Sequence, residues 1–201
     1  MHYFALLLGP EATGEPDAET TAAVMTAYVN FHAGAGAAIR AGDALAPAAT
    51  AVKITGGPDA PVVTDGPFAE GAEVAGGYYV FEADDLDEAL EIARRISACA
   101  SCGVEVWPMI HWSAPTEPVG DDWLALLLEP PEGAHDPDSP EWVSGAAQHV
   151  EFGKAAGDHI LAGAPLHPPS SATTVRVRDG KKRLTRLSPQ SYCGDIASLT
   201  M

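Results

Sequence analysis

Asp65 stands directly ahead of a Gly-Pro pair in Thr64-Asp65-Gly66-Pro67-Phe68-Ala69-Glu70. A carboxylate at such a reversal can line the mouth of a pocket, or its oxygen can simply cap the Asp-Gly-Pro turn. Cys99-Ala100-Ser101-Cys102 has CxxC spacing, which invites a redox or a zinc reading. A zinc site needs four ligands, and the chain has no second CxxC and no His pair at ligand spacing; His111 and Cys193 are the obvious recruits. A thioredoxin-like dithiol opens a helix after a strand, whereas this pair follows a helical pattern and precedes the strand-like Val104-Glu105-Val106-Trp107. Packing cysteines are therefore expected. His2, His111, His135, His149, His159 and His167 show neither HxH nor HxxxH spacing, so no metal is implied. Gly34-Ala35-Gly36 lies inside a helical pattern, outside the strand-turn-helix context of a phosphate loop. No cofactor is expected.

The elements that must position these residues follow from periodicity. Residues 2–8 read as a strand apolar on both faces. A helix is predicted from about Asp17 to Ala41, with Val24, Tyr28, Phe31, Ala35 and Ile39 on one stripe and Gly42 as its stop. Residues 50–55 and 61–64 look like strands joined at Gly56-Gly57-Pro58-Asp59, and Gly77-Tyr78-Tyr79-Val80-Phe81 is another strand. Asp85 with Glu88 three residues on makes a capping box, so the second helix starts there. Leu86, Ala89, Leu90, Ala93 and Ile96 form its buried face, and Glu91 can pair with Arg95. With residues 104–107 as the last strand, the order is βαββαβ with a hairpin extension, an α+β ferredoxin-like plan. Two helices cover only one face of such a sheet, so the other face needs a second cover. The expected cover is a second sheet of the same kind, from this chain or another, in a face-to-face barrel-like assembly.

Charge narrows the partners. The 201 residues carry 28 acidic and 11 basic side chains, a net charge of −17, at 46% hydrophobic content. Residues 1–175 hold −21 and residues 176–201 hold +4, because Arg176, Arg178, Lys181, Lys182, Arg183 and Arg186 cluster together. So acidic a surface repels phosphate backbones, which excludes general nucleic-acid binding. No stretch has the roughly 18–20 apolar residues of a membrane span, and Met1-His2-Tyr3-Phe4 supplies no basic leader. With three cysteines that cannot all pair, the expected compartment is the cytoplasm.

The chain also repeats itself. Tyr3-Phe4-Ala5-Leu6-Leu7-Leu8 is matched by Trp123-Leu124-Ala125-Leu126-Leu127-Leu128, Phe31 by Phe152, Ala41-Gly42 by Ala162-Gly163, and residues 50–54 by 173–177. Residues 113–120, rich in proline and small residues, read as a linker. The expected organisation is a domain over 1–112, a partial second copy over 121–187 and a divergent tail over 188–201.

Thr64-Asp65-Gly66-Pro67-Phe68-Ala69-Glu70, Gly76-Gly77-Tyr78-Tyr79 and Asp84-Asp85-Leu86-Asp87-Glu88-Ala89 together resemble the signature of the YCII-related proteins, specifically the DGPF subgroup. The resemblance covers residues 1–110 and extends over about 121–182. It implies a ferredoxin-like domain of the dimeric α+β barrel group; because the partial second copy cannot close a complete pseudo-dimer within one chain, a homodimer that buries the leftover sheet surface is expected. Its biochemistry is largely unassigned, a small-molecule or enzymatic role is usually supposed, and DGPF members often lie beside sigma factors. The enzyme idea in the wider family leans on a helix histidine and on an aspartate in an Ala-Asp-Pro-Tyr-like motif. His32 falls close to the place of that histidine, but no Ala-Asp-Pro-Tyr occurs here. The catalytic candidates are thus His32 and Asp65, with a ligand pocket between sheet and helices lined by Phe68, Tyr78 and Tyr79. His32 can equally sit at the edge of the apolar stripe, and Asp65 can serve its turn alone.

The second copy changes character after Thr185: Arg186-Leu187-Ser188-Pro189 stands where Asp-Gly-Pro-Phe would, and no Gly-Gly-Tyr-Tyr strand or second helix follows. Residues 188–201 contain Ser191, Cys193, Ser198 and Thr200 and no Lys or Arg. They read either as a degenerate repeat end or as a modifiable core peptide carried by a folded leader. Three functions stay open: a YCII-type small-molecule binder or enzyme, a regulatory or scaffold protein, and a peptide precursor. The hairpin 176–186 could meet a protein partner, an acidic surface of its own chain, or only solvent.

Overall fold

In a computed structural model, residues 1–10, 14, 17–57, 59–66, 73–115, 120–128, 133–186 and 199–200 are described. Unbroken apolar character puts β1 (His2–Gly9) at the centre of a six-stranded antiparallel sheet. On one side it pairs with β5 (Val74–Glu82), which pairs in turn with β2 (Ile39–Ala44) at that edge. On the other it pairs with β6 (Gly103–Pro108), followed by β8 (Thr173–Arg178) and β9 (Lys181–Arg186). Within residues 1–108 the strand order β2-β5-β1-β6, with α1 (Ala18–Ala35) and α2 (Leu86–Ala93) as crossovers, is the ferredoxin-like βαββαβ arrangement. A short helix, α3 (Ala98–Ser101), leads into β6. Among the described residues no helix is long and apolar enough to cross a membrane.

Alternation along β1 makes two cores. Tyr3, Ala5 and Leu7 meet Phe31 and Ala35 of α1 and Ala89, Leu90 and Ala93 of α2. Phe4 and Leu6 point the other way and are buried with Tyr78, Val80, Trp107 and Met109. The cover of this second face differs from the expected second sheet. Trp112, Leu124, Leu126, Ala164 and Leu166, all from extended segments beyond β6, pack on it. The backbone ties them down: the Ile110 N–H donates to the Pro165 carbonyl at 3.0 Å and the His167 N–H to the Pro108 carbonyl at 2.9 Å. Of the apolar run 123–128, only β7 (Trp123–Leu124) is a strand, paired with β10 (Leu199–Thr200). α4 (Pro140–Ala156) follows, started by Ser139, whose Oγ accepts from the Trp142 N–H at 3.2 Å.

Three further expectations need correction. The first helix ends at Ala35, not Ala41, where the Gly36 N–H closes on the His32 carbonyl at 2.9 Å. Residues 39–44 turn back as β2 because β5 offers them an edge, and Arg40 seals the corner on Glu82 at 2.6 Å. That contact, first as hydrogen bond and then as charge, holds the Glu82 carboxyl below its usual range. Next, β3 (Val52–Thr55) and β4 (Val62–Asp65) form their own two-stranded hairpin outside the main sheet. Finally, Glu91 pairs with Arg94 and Lys182 rather than with Arg95, which donates instead to the Gly34 carbonyl at 3.2 Å.

The capping box does form. Asp85 Oδ1 accepts from the Glu88 N–H at 2.9 Å, and Glu88 Oε2 accepts from the N–H of Asp84 at 2.7 Å. Since α2 carries one wall of the first core, Asp85→Ala is expected to lower the unfolding free energy by about 1 kcal/mol in urea titrations. Asp84→Ala, which keeps the backbone donor, should leave it unchanged within error.

Candidate functional site

Strand parity decides which candidates meet. Tyr79 of β5 points to the helix side and Tyr78 to the opposite core, so the two adjacent tyrosines cannot share a pocket. The hydroxyl of Tyr79 and Nε2 of His32 on α1 lie 2.7 Å apart, partly buried. Where Nε2 is bare the phenol O–H donates to it, and where Nε2 carries a proton the ring N–H donates to the phenol oxygen, so the contact accommodates either arrangement. Phe31 and Phe81 frame the pair, with ring centroids 5.2 Å and 5.7 Å from Tyr79. Burial, then the neighbouring Tyr28 and Asp43, pushes the Tyr79 phenol up to about 12.

Glycine on the edge strand makes this geometry possible. Gly42 is the register partner of Tyr79, and a Cβ there would fall 2.3 Å from Tyr79 Cδ1 and 2.8 Å from the Tyr78 carbonyl oxygen. The ring lies flat against β2 because nothing projects from Gly42. Sequence reading assigned that residue to a helix end and missed this use of it.

A cleft of about 510 Å³ opens between the sheet and the helices one helical turn from His32. Leu7, Leu8 and Gly76 supply its floor, Val24 and Tyr28 one wall, and Ser97 and Ala98 the other. The expected location between sheet and helices thus has a cavity, but its tyrosine is Tyr28, not Tyr78. The sequence held a signal for it: Tyr28 and His32 are four apart, hence on one face of α1. Tyr78 stacks on Phe4 with centroids 6.0 Å apart, its phenol raised by burial and by Asp43 and Asp122. Asp65 is exposed at the end of β4, opposite Val52, and is not brought to His32. Phe68, Ser191, Cys193 and Ser198 lie outside the described residues, and Thr200 is placed only by its backbone pairing with Trp123.

The other chemical candidates resolve into packing. Cys99 is buried in the first core, where its thiol donates to the Ala93 carbonyl at 3.2 Å and burial pushes it up to about 12. Such a thiol is a poor nucleophile at neutral pH. Cys102 is half-buried, and the two sulfurs are not bonded. Among the described residues no three His, Cys, Asp or Glu side chains gather as metal ligands. The basic hairpin docks on its own chain: Arg176 meets Glu73 at 2.9 Å, Lys182 meets Glu91, and Arg178 donates to the Ala100 carbonyl at 2.9 Å.

The raised phenol has a consequence for stability. Tyr79 is protonated in both states below pH ~10; above that the unfolded chain releases the proton while the native one holds it, so native stability falls as pH rises toward 12. Tyr79→Phe should flatten this alkaline limb in denaturant titrations run from pH 9 to pH 12, and remove the latest step from the ultraviolet titration of the tyrosines.

Compared with known proteins, the chain matches one family model, described as the YCII-related domain, over residues 1–113. No curated protein matches it. The matched span takes in both helices of the sheet's covered face, His32, Tyr79 and every wall of the cleft. More than half of the 201 residues lie within it, and the chain belongs to the YCII-related family.

Proposed function

We propose that this protein binds a small, largely apolar molecule in the cleft between α1, α3 and the sheet. The observation that carries the reading is the juxtaposition of an apolar cavity of about 510 Å³ with the hydrogen-bonded pair His32 and Tyr79, linked to it by Tyr28. Apolar walls with a few convergent polar groups are the usual make-up of a ligand site. Leu7, Leu8 and Val24 supply the apolar contact; Tyr28 and Ser97 supply hydroxyls for orientation. His32, held by Tyr79 at 2.7 Å, supplies a ring nitrogen of fixed position beside the cleft. Asp65 has no part in this reading.

The reading extends to the chain as a whole. Its motif Thr64–Glu70 is of the DGPF kind, and residues 121–187 are a partial second unit of the same kind. A homodimer remains the expected partner arrangement in the cytoplasm, but the sheet face first expected to drive it is filled by Trp112, Leu124, Leu126 and Leu166 of the same chain. Association must then use another surface.

Indole, a neutral bicyclic probe of suitable size, tests the cleft. Titrated into isotope-labelled protein, it should shift the amide signals of Leu7, Tyr28 and Ala98 saturably. Val24→Trp, on the exposed half of α1, fills the cleft without entering the core and should abolish those shifts. Shifts confined to other surfaces, or unaffected by Val24→Trp, would contradict the assignment.

A further inference from the structure

The α3 wall of the cleft is a single turn, Ala98–Ser101, and its own sequence does little to hold it in place. Ser97 ahead of it makes no side-chain cap, and one turn is too short to persist without tertiary contacts. Two ties fix it. On the inner side the Cys99 thiol donates to the Ala93 carbonyl at 3.2 Å, joining α3 to the end of α2. On the outer side stands Arg178, the last residue of β8. Its Nη1 donates to the carbonyls of Cys99 at 3.2 Å and Ala100 at 2.9 Å, and its Nη2 to that of Cys102 at 3.4 Å. Carbonyls at a helix end have no donor within the helix, so one guanidinium supplies what the turn lacks.

A glycine lets β8 bring the arginine there. Gly103 opens β6 directly after α3, and a Cβ on it would fall 3.2 Å from Arg176 Cγ, 3.2 Å from Thr174 Cγ2 and 3.3 Å from the Val175 carbonyl oxygen. Val175 is buried in the helix-side core and Val177 packs against it, so the strand that carries Arg178 is itself anchored. The hairpin's other tie, Lys182 on Glu91, goes to α2 and reaches no residue that lines the cleft. Ala98 and Ala100 line the cleft from α3, as Val24 and Tyr28 do from α1. Where the turn stands therefore decides how wide the cleft is.

We propose that Arg178 is a positioning residue for the cleft: it fixes the separation of the α3 wall from α1, and thereby the size of ligand admitted. A site whose lining lies within residues 1–113 is thus completed from the second half of the chain. The inference deepens the cleft reading and rests on it.

Indole and the larger, tricyclic acridine are titrated into the isotope-labelled full chain, and the ratio of their Kd values is read from the amide signals of Leu7, Tyr28 and Ala98. In Arg178→Ala that ratio is expected to shift in favour of acridine by about tenfold. The amides of Cys99, Ala100 and Cys102 should exchange about tenfold faster, with β1 unchanged. Arg178→Lys keeps the charge and the stem but offers a single nitrogen, which cannot span the Ala100 and Cys102 carbonyls as the fork does. It should shift the ratio the same way by a smaller factor, and it carries the test if Arg178→Ala lowers β1 protection. Lys182→Ala, which loosens the same hairpin at α2, should leave the ratio at its original value. With indole bound, a ratio unmoved in both Arg178 variants overturns the inference and leaves the cleft reading intact. A ratio that moves equally in Lys182→Ala overturns it too, because the effect then belongs to the hairpin as a whole. Indole that moves none of the three signals in the unaltered chain overturns the cleft reading itself, and this inference with it.

Discussion

The central strand is apolar on both faces, and the rest of the structure answers to that. Phe4, Leu6, Tyr78, Val80, Trp107 and Met109 make up the face that the two helices cannot reach. At about 1.5–3 kcal/mol each, leaving them in water would cost on the order of the whole stability of a domain. The chain solves this with segments beyond β6: irregular stretches around Trp112, Leu124 and Leu166 lie over the face, and Ala172 leads out of it into β8. The second half therefore folds onto the first as its cover. Its hairpin then lengthens the same sheet, held by Val175 in the core and by Arg176 on Glu73.

The same parity sorts the chemistry. Because β5 sends Tyr79 toward the helices and Tyr78 toward the cover, only one of the pair can meet His32. The helix-side core is the better place for a site, since α1 is anchored there by Phe31 and Ala35 while its first turns stand away from the sheet and leave the cleft open. Anchored aromatic residues fix the histidine; the loosely packed turns beside it admit a ligand. The extra hydroxyl of Tyr28 lies where the two meet.

Much of the scaffold was legible in the residues. The strand read over residues 2–8, the capping box at Asp85 and Glu88, the buried face of the second helix and the hairpin 176–186 each carry a strong local signal, and each forms there, the strand running one residue longer to Gly9. β2 was not legible, because Ile39-Arg40-Ala41-Gly42-Asp43-Ala44 has little strand propensity and becomes a strand only through the edge that β5 offers. The covering segments lacked any period to read, their backbone being tied by scattered bonds such as Ile110 to Pro165. As for the site, His32 and Tyr79 were each visible but not as a pair: they are 47 residues apart, and Gly42, which lets them touch, carries no chemistry of its own.

The claim that the second half exists first as a cover is tested most directly by shortening the chain to residues 1–112 and measuring its mass by sedimentation at micromolar concentration, with its thermal unfolding. Stripped of Leu124, Leu126, Ala164, Leu166 and the strand at Val175, the fragment should bury its open face against another copy, sedimenting as a dimer or larger species, and unfold at a lower temperature when diluted. A fragment that stays monomeric and melts where the full chain melts would contradict the account.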